Sequence, residues 1–438
     1  MNARALAISI LARVEATEAY LNVVLDAQLS ETPPDDPRDA GLVTELCYGT
    51  TRRRLTLDHA LASFADRRLE TIEDRVLAAL RLGAYQHFYM RVPSHAAVGE
   101  TVQALKALKL ERATGFVNAI LRKITGLQTP PLPPESDPIA HLAIRESHPE
   151  WLVERWIRQF GRARAEEMLV ADNLPPPLCV RANGSKITRD ALVQELTDAG
   201  LTATRTALSP AGIVIQGAGR VEELFGYAEG LWQVQDEAAQ LVGIYGAIPD
   251  GARVLDVCAA PGGKACHLAE RLEVVASDLH ANKLRKIEAE SKRLGLSARL
   301  KVQAHDATVP FPESLGEFHA VVVDAPCAGL GTLRRHPELR YRRKEEDVAR
   351  LASLQRKILE HAQEQVAPGG LLVYAVCSVD PQEGQDQVEM FLRSHPDFTA
   401  EAPTLAGPAL PMWQAYLRTL PGPLGLDGFF AARLRRMY

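Results

Sequence analysis

Val254-Leu255-Asp256-Val257-Cys258-Ala259-Ala260-Pro261-Gly262-Gly263-Lys264 is the stretch from which the fold of this chain is read. An apolar run ends in a small-residue turn with two glycines, and the apolar-periodic segment Cys266 to Leu272 follows. That is how a buried strand delivers its chain into a helix. Glycine lets backbone approach a ligand closely, and the amides at a helix start favour electron-rich atoms. The turn is not the dinucleotide fingerprint, because it contains a proline and lacks G-x-G-x-x-G. A second apolar run, Val274-Val275-Ala276, ends in Ser277-Asp278, putting a carboxylate where Rossmann-type folds bind ribose hydroxyls. Together these features predict an adenosine-bearing ligand.

Downstream, strands and helices alternate: Val254 to Cys258, Lys264 to Leu272, Val274 to Ser277, Asn282 to Leu294, Leu300 to Ala304, Ala320 to Asp324, Val348 to Val366 and Gly370 to Ala375. Alternation of this kind predicts a parallel sheet with helices on both faces. Phe429 to Leu434 adds a last strand. Ligands of such sheets bind beyond the carboxyl ends of the strands, so Asp278, Asp306 and Asp324 are expected to converge on one cleft.

Upstream, residues from Arg4 to about Gln128 read as helices, the first from Ala3 to Leu29. The proline-rich Thr129 to Pro134 is a linker. Helices over His148 to Phe160 and Arg162 to Ala171 precede Pro175-Pro176-Pro177. A small α+β unit follows, with strands at Leu178 to Arg181, Ala203 to Ala207 and Gly212 to Gln216 and a helix at Arg189 to Ala199. A chain of 438 residues exceeds one ordinary core. The expected division is a helical domain over 1–130, a small α+β domain of RRM-like build over 140–234 and a Rossmann-like α/β domain over 235–438. The small sheet offers no exposed aromatics for base stacking, so it reads as a spacer or a phosphate-contacting surface.

An apolar share of 46% and a charged share of 24% are those of a soluble globular protein. Neither a membrane span nor a secretory signal is evident, and the expected location is cytoplasmic. Six cysteines without a C-x-x-C pair predict reduced thiols, with no zinc site and no disulfide framework. The net charge of −5 means that a nucleic-acid partner must be held by local basic surfaces. Candidates are Arg52-Arg53-Arg54, Arg122-Lys123 and the stretch Arg334 to Lys357, with nine Lys or Arg against four Asp or Glu. The last reads as a phosphate-binding edge. Nothing in the sequence implies an oligomer.

Cys327 and Cys377 stand apart from the other cysteines. Each lies just beyond an apolar strand, in Val321-Val322-Val323-Asp324-Ala325-Pro326-Cys327 and Leu371-Leu372-Val373-Tyr374-Ala375-Val376-Cys377-Ser378, on the ligand side of the sheet. A thiol there suits methylation of carbon 5 of a pyrimidine. That carbon is too electron-poor to attack a methyl donor, and thiolate addition at carbon 6 turns the ring into an enamine-like nucleophile. An acid at N3 eases the addition, and Asp324 is placed for it. A base then removes the carbon 5 proton, with the second thiol assisting release. The target base must be unpaired or flipped out. This chemistry alone does not choose between the two thiols.

Cys258-Ala-Ala-Pro-Gly-Gly-Lys264, Asp324-Ala-Pro-Cys327 and Tyr374-Ala-Val-Cys-Ser378 resemble motifs of the RNA cytosine-5 methyltransferases. Gly115 to Lys123 resembles the NusB-like front domain of the Sun/Fmu (RsmB) family, which acts on 16S ribosomal RNA. His148-Pro-Glu-Trp151, Val234-Gln-Asp236, Arg334-Arg-His-Pro337 and Asp427-Gly-Phe-Phe430 are also similar to that family. The resemblance covers essentially the whole chain. It implies S-adenosyl-L-methionine as cofactor, with Cys258, Ala259, Ala260, Pro261, Gly262, Gly263 and Lys264 around its methionine part, Asp278 on the ribose and Asp306 near the adenine. It implies that Asp324 orients the cytosine, Cys377 is the nucleophile and Cys327 assists release. The DNA enzymes use a Pro-Cys like Pro326-Cys327, which keeps the opposite assignment open. Val376 and Ala328 stand where the family usually has Thr and Ser, removing two hydroxyls. Two competing readings are the same chemistry on transfer RNA or another RNA, and an RNA-binding assembly factor without catalysis.

Overall fold

Burial follows helical spacing at the front of the chain: in the helix Ala3–Ala16, residues Leu6, Ala7, Ile10, Leu11 and Val14 turn inward. The computed structural model describes residues 2–17, 19–36, 38–217, 219–404 and 409–438. The expected helix from Ala3 to Leu29 is two helices, Ala3–Ala16 and Leu21–Glu31. Thr17 is extended, and its hydroxyl donates to Arg13 O at 2.8 Å and accepts from Ala19 N at 3.3 Å, a side chain competing with the helix ladder. Glu18 lies outside the described residues. The helices Asp39–Arg52, Arg54–Ala62, Asp74–Tyr89, Ser94–Ala107 and Thr114–Ile124 join these two around one core containing Leu6, Leu46, Leu80 and Leu121.

This helical unit comprises Met1–Pro175 and Leu333–Arg343, which cuts the chain differently from the expected limits. Helices Pro138–Glu146, Glu150–Phe160 and Arg162–Asp172 lie within this unit. The Leu333–Arg343 segment is held by polar bonds in the interior. Arg340, fully buried, donates to the carbonyls of Arg52 at 3.1 Å and Asp172 at 2.6 Å and to the Asn173 side chain at 2.8 Å. Tyr341 Oη donates to Thr51 O at 2.8 Å, and Glu338 accepts from Leu21 N at 3.1 Å. Arg334 is also buried. Of the expected phosphate-binding edge over Arg334 to Lys357, Arg334 and Arg340 are buried inside the unit, whereas Lys344, Arg350, Arg356 and Lys357 are exposed.

The second unit comprises Pro176–Thr332 and Lys344–Tyr438. Its small sheet holds β1 (Leu178–Ala182), β2 (Thr202–Arg205), β3 (Gly212–Gln216) and β4 (Trp232–Val234), antiparallel in the order β2-β3-β1-β4. The sequence reading missed β4, which has only three residues. It is fixed by the fully buried Trp232, whose Nε1 donates to Phe225 O at 2.8 Å.

The large sheet contains β5 (Arg253–Val257), β6 (Glu273–Asp278), β7 (Leu300–Ala304), β8 (Phe318–Asp324), β9 (Val366–Val376), β10 (Phe398–Ala400), β11 (Met412–Trp413), β12 (Tyr416–Thr419) and β13 (Phe429–Arg436). Its order is β11-β12-β13-β9-β8-β5-β6-β7, with β10 on β13. Strands β9, β8, β5, β6 and β7 are mutually parallel, and β13 runs antiparallel to β9. Alternate residues feed two cores: Leu255, Val257, Val321 and Val323 on one face, Val254, Val322 and Val373 on the other. This is a Rossmann-like sheet covered on both faces, with a mixed edge that the sequence did not reveal beyond β13. Strand order reverses between β5 and β8, which opens the crevice where such sheets bind ligands. Among the described residues no helix is long and apolar enough to cross a membrane.

Candidate active site

The turn after β5 is shaped by two residues in the left-handed region, Cys258 at φ +61° and Gly262 at φ +104°. A Cβ on Gly262 would also lie 3.1 Å from Ile287 Cγ1, a tight contact added to the backbone strain of its left-handed φ. Ala259 N–H donates to Ser277 O at 2.8 Å and Gly262 N–H to Ala259 O at 2.8 Å. Asp278, at the end of β6, accepts from Ala260 N at 3.3 Å and His280 N at 3.0 Å. It thus braces the turn and keeps lone pairs for a ligand hydroxyl. Burial, helped by the Asp278 charge, pushes the Cys258 thiol up and keeps it neutral.

Lys264, in the first turn of the helix Gly263–Ala269, reaches the end of β8, where its Nζ donates to Asp324 Oδ2 at 2.6 Å. The ammonium also lies 5.0 Å from the Phe429 ring centroid. Burial alone would lower its pKa, but Asp324 outweighs burial and raises it. Under this pair sits Asp256, fully buried, with no hydrogen-bond partner for either carboxyl oxygen among the described residues. Burial, and then the nearby Asp324 charge, push it up to about 8, so at neutral pH it is an uncharged acid. Asp306 lies just past β7 and accepts from the Thr308 amide at 2.9 Å and hydroxyl at 2.7 Å, bonds that lower its pKa. Its loop is tied to Asp278 through His305 N–H to Asp278 O at 3.1 Å.

Because β8 and β9 are adjacent and parallel, the loops that leave them bring Cys327 and Cys377 together, Sγ to Sγ 3.3 Å. The hydrogen bond to Cys377, with burial adding to it, raises the Cys327 thiol well above its ordinary value. Either sulfur can be the donor across this contact. Cys47, Cys179 and Cys266 are buried away from this point. Val376 is fully buried in the sheet core, and Ala328 contributes its backbone amide, donated to Glu383 at 2.7 Å.

The sequence reading missed three residues here. Asp256 was a charged letter inside an apolar strand, a signal that was available. Phe429 follows a recognisable Asp-Gly turn. Glu383 lies in the turn-rich loop after β9, where an acid reads as solvent-facing, yet it is fully buried. Its carboxyl is pushed up to about 7 by burial, against lowering by the Ser378 hydroxyl and the Ala328 amide.

These residues fit a cofactor bearing an adenosyl group and a methionine-like tail. The left-handed turn leaves no room for a side chain at Gly262, Asp278 has acceptor capacity left, and Asp256 holds unpartnered buried oxygens.

Family models match the chain in three places: the NusB family over residues 1–126, an RsmF/B-like ferredoxin-like domain over 148–222, and 16S rRNA methyltransferase RsmB/F over 247–435. The chain is 37% identical to the ribosomal RNA small subunit methyltransferase B of Pseudomonas putida, covering 99% of this chain and 98% of the relative. It is 36% identical to the protein of the same name from Vibrio cholerae, covering 100% of this chain and 98% of the relative. The crystal structure of PH0851 superposes with a TM-score of 0.84 over 99% of both chains at 24% identity, a likeness of fold.

Proposed function

Because the chain belongs to the RsmB/F family of methyltransferases and works with S-adenosylmethionine, we propose that it methylates carbon 5 of a cytidine in 16S ribosomal RNA through a covalent bond from Cys377 to carbon 6. The observation that carries this reading is the contact between Cys327 and Cys377 at the carboxyl ends of neighbouring strands, in the same cleft as Asp324. The names of the relatives point to the small-subunit RNA as substrate.

The turn Cys258–Lys264, with Asp278 and Asp306, would hold the cofactor, which supplies an electrophilic methyl group. Cys377 Sγ would add to carbon 6 while Asp324, steadied by Lys264, orients the cytosine; the electron pair moves to carbon 5, which becomes the nucleophile. Once carbon 5 carries the methyl group, a base takes its proton, the carbon 6–sulfur bond breaks and Cys377 leaves as thiolate. A thiolate leaves more readily when a proton donor faces it. Cys327, at contact distance from Cys377, would be that donor. The assignment of Cys377 as nucleophile rests on the resemblance of Tyr374-Ala-Val-Cys-Ser378 to the family's motif.

The test compares Cys377→Ala and Cys327→Ala proteins incubated with cofactor and 16S RNA, scoring methylation and a denaturation-resistant protein–RNA adduct. The first is expected to give neither. The second is expected to accumulate adduct. The reverse pattern would exchange the two roles, and activity surviving in both would remove the covalent mechanism. Sizing the methylated species from total RNA separates 16S RNA from transfer RNA.

A further inference from the structure

The segments that carry the thiols are joined directly by Ala325 N–H to Ala375 O at 2.9 Å and Gly331 N–H to Cys377 O at 3.1 Å, and a buried side chain adds a further tie beside Cys327 itself. Glu383 Oε1 accepts from Ala328 N at 2.7 Å, in the loop of Cys327. The same oxygen accepts from Gln355 Nε2 at 3.2 Å, and Gln355 Nε2 also donates to Pro326 O at 3.0 Å, one residue on the other side of Cys327. Tyr374 Oη lies 2.5 Å from Glu383 O and 3.1 Å from Gln355 Oε1, closing the ring of contacts onto β9, which ends at Cys377. Glu383, Gln355 and Tyr374 are all fully buried. The Cys327 loop is therefore held on both flanks of the cysteine, through Ala328 and Pro326, by groups anchored to the Cys377 side.

We infer that Glu383 is a positioning residue whose buried carboxylate clamps the Cys327 loop against the Cys377 loop and so holds the two thiols at contact distance. It touches neither substrate nor cofactor. Burying a carboxyl costs stability unless its oxygens are bonded; here Oε1 takes the Ala328 amide and the Gln355 side chain, while Oε2 has no partner among the described residues. Gln355 supplies the second strut. The catalytic consequence rests on the two-thiol mechanism proposed above; the geometric statement stands without it.

The test uses the full-length protein and reads geometry and catalysis separately. Diamide, which takes up the two hydrogens lost as two thiols become a disulfide, reports thiol proximity through the Cys327–Cys377 bond measured by peptide mass spectrometry. Glu383→Ala is expected to slow this cross-link by about tenfold or more, since displacement by about 1 Å costs roughly a hundredfold in a proximity-dependent step. Glu383→Gln keeps an acceptor for Ala328 N and Gln355 Nε2 and is expected to restore the rate to within about threefold of the parent. In methylation, Glu383→Ala should lower kcat by about tenfold or more with KM for S-adenosylmethionine little changed, and should accumulate the protein–RNA adduct. Cross-linking of Glu383→Ala at the parent rate, or Glu383→Gln as defective as Glu383→Ala, overturns the inference. Slowed cross-linking with no adduct in any variant leaves the clamp standing and rejects the covalent mechanism. If Glu383→Ala fails to fold, Gln355→Ala, which cuts the Pro326 strut alone, is measured in the same way, and an unchanged cross-link there overturns the inference.

Discussion

Replacing Asp256 by Asn should make the protein more stable, and increasingly so as pH rises. The carboxyl is fully buried in β5, has no partner for either oxygen among the described residues, and titrates at about 8. In the unfolded chain an aspartate titrates near ~3.9. Between those values the native state keeps a proton that the unfolded state has lost, so stability falls with rising pH across the window. The full penalty is present once pH exceeds the native value and absent below the unfolded one. A shift of about four units at about 1.36 kcal/mol each sets an upper bound of roughly 5 kcal/mol, which relaxation of the site reduces to a few kcal/mol. Asn is nearly isosteric and never ionises, so the difference between the variant and the parent isolates this one group. Urea unfolding of both proteins at intervals from pH 4 to pH 8.5 should give nearly equal stabilities at the acid end and a gap widening to a few kcal/mol at the alkaline end. Parallel curves over the whole range would mean that Asp256 is already ionised in the native protein, and the argument from burial would fail.

Gly331→Ala places a Cβ 1.9 Å from Gly428 O and 2.8 Å from Gly428 Cα, with backbone on both sides; a loss of about 2 kcal/mol or more is expected in thermal unfolding, together with loss of methyl transfer. Asp278→Ala removes both the brace on Ala260 and the remaining lone pairs, and calorimetry should show S-adenosylmethionine binding weakened by about 10- to 100-fold; unchanged affinity would reject its role on the ribose. Arg340→Ala removes the buried donor to Asp172 O and Asn173 Oδ1 and leaves Arg52 O only the longer bond from Tyr341 Oη, and is expected to cost about 3 kcal/mol or more in urea unfolding.

The strand, turn and helix around Gly262 were legible because their physics is local: an apolar run, then residues that tolerate left-handed backbone, then helical spacing. The adjacency of β8 and β9 followed from alternation and the rules of parallel sheets, so the meeting of Cys327 and Cys377 was foreseeable without knowing a distance. Burial was not legible where a polar residue is satisfied by distant backbone. Arg340 read as one more surface cation in a basic stretch, and Glu383 as a loop acid, because their partners lie far away in sequence. The pair β11 and β12 was too short for periodicity to register. The roles of Cys377, Cys327 and Asp324 rest on chemistry and resemblance, and the variants above are what decide them.

Leu333–Arg343 belongs to the helical unit although synthesis reaches it long after Pro175. Proteins emerge from the ribosome in order, at about 5–20 residues per second, so the helices made first wait on the order of ten seconds or more for Arg340 and Tyr341. Until then the carbonyls of Arg52 and Asp172 and the amide of Leu21 lack the donors and acceptor that finish them. The amino-terminal helices are thus born first and completed late. Their last piece is delivered by the stretch of chain immediately following the loop of Cys327, so the front of the protein cannot mature before strands β5 to β8, four of the nine in the large sheet, have been translated.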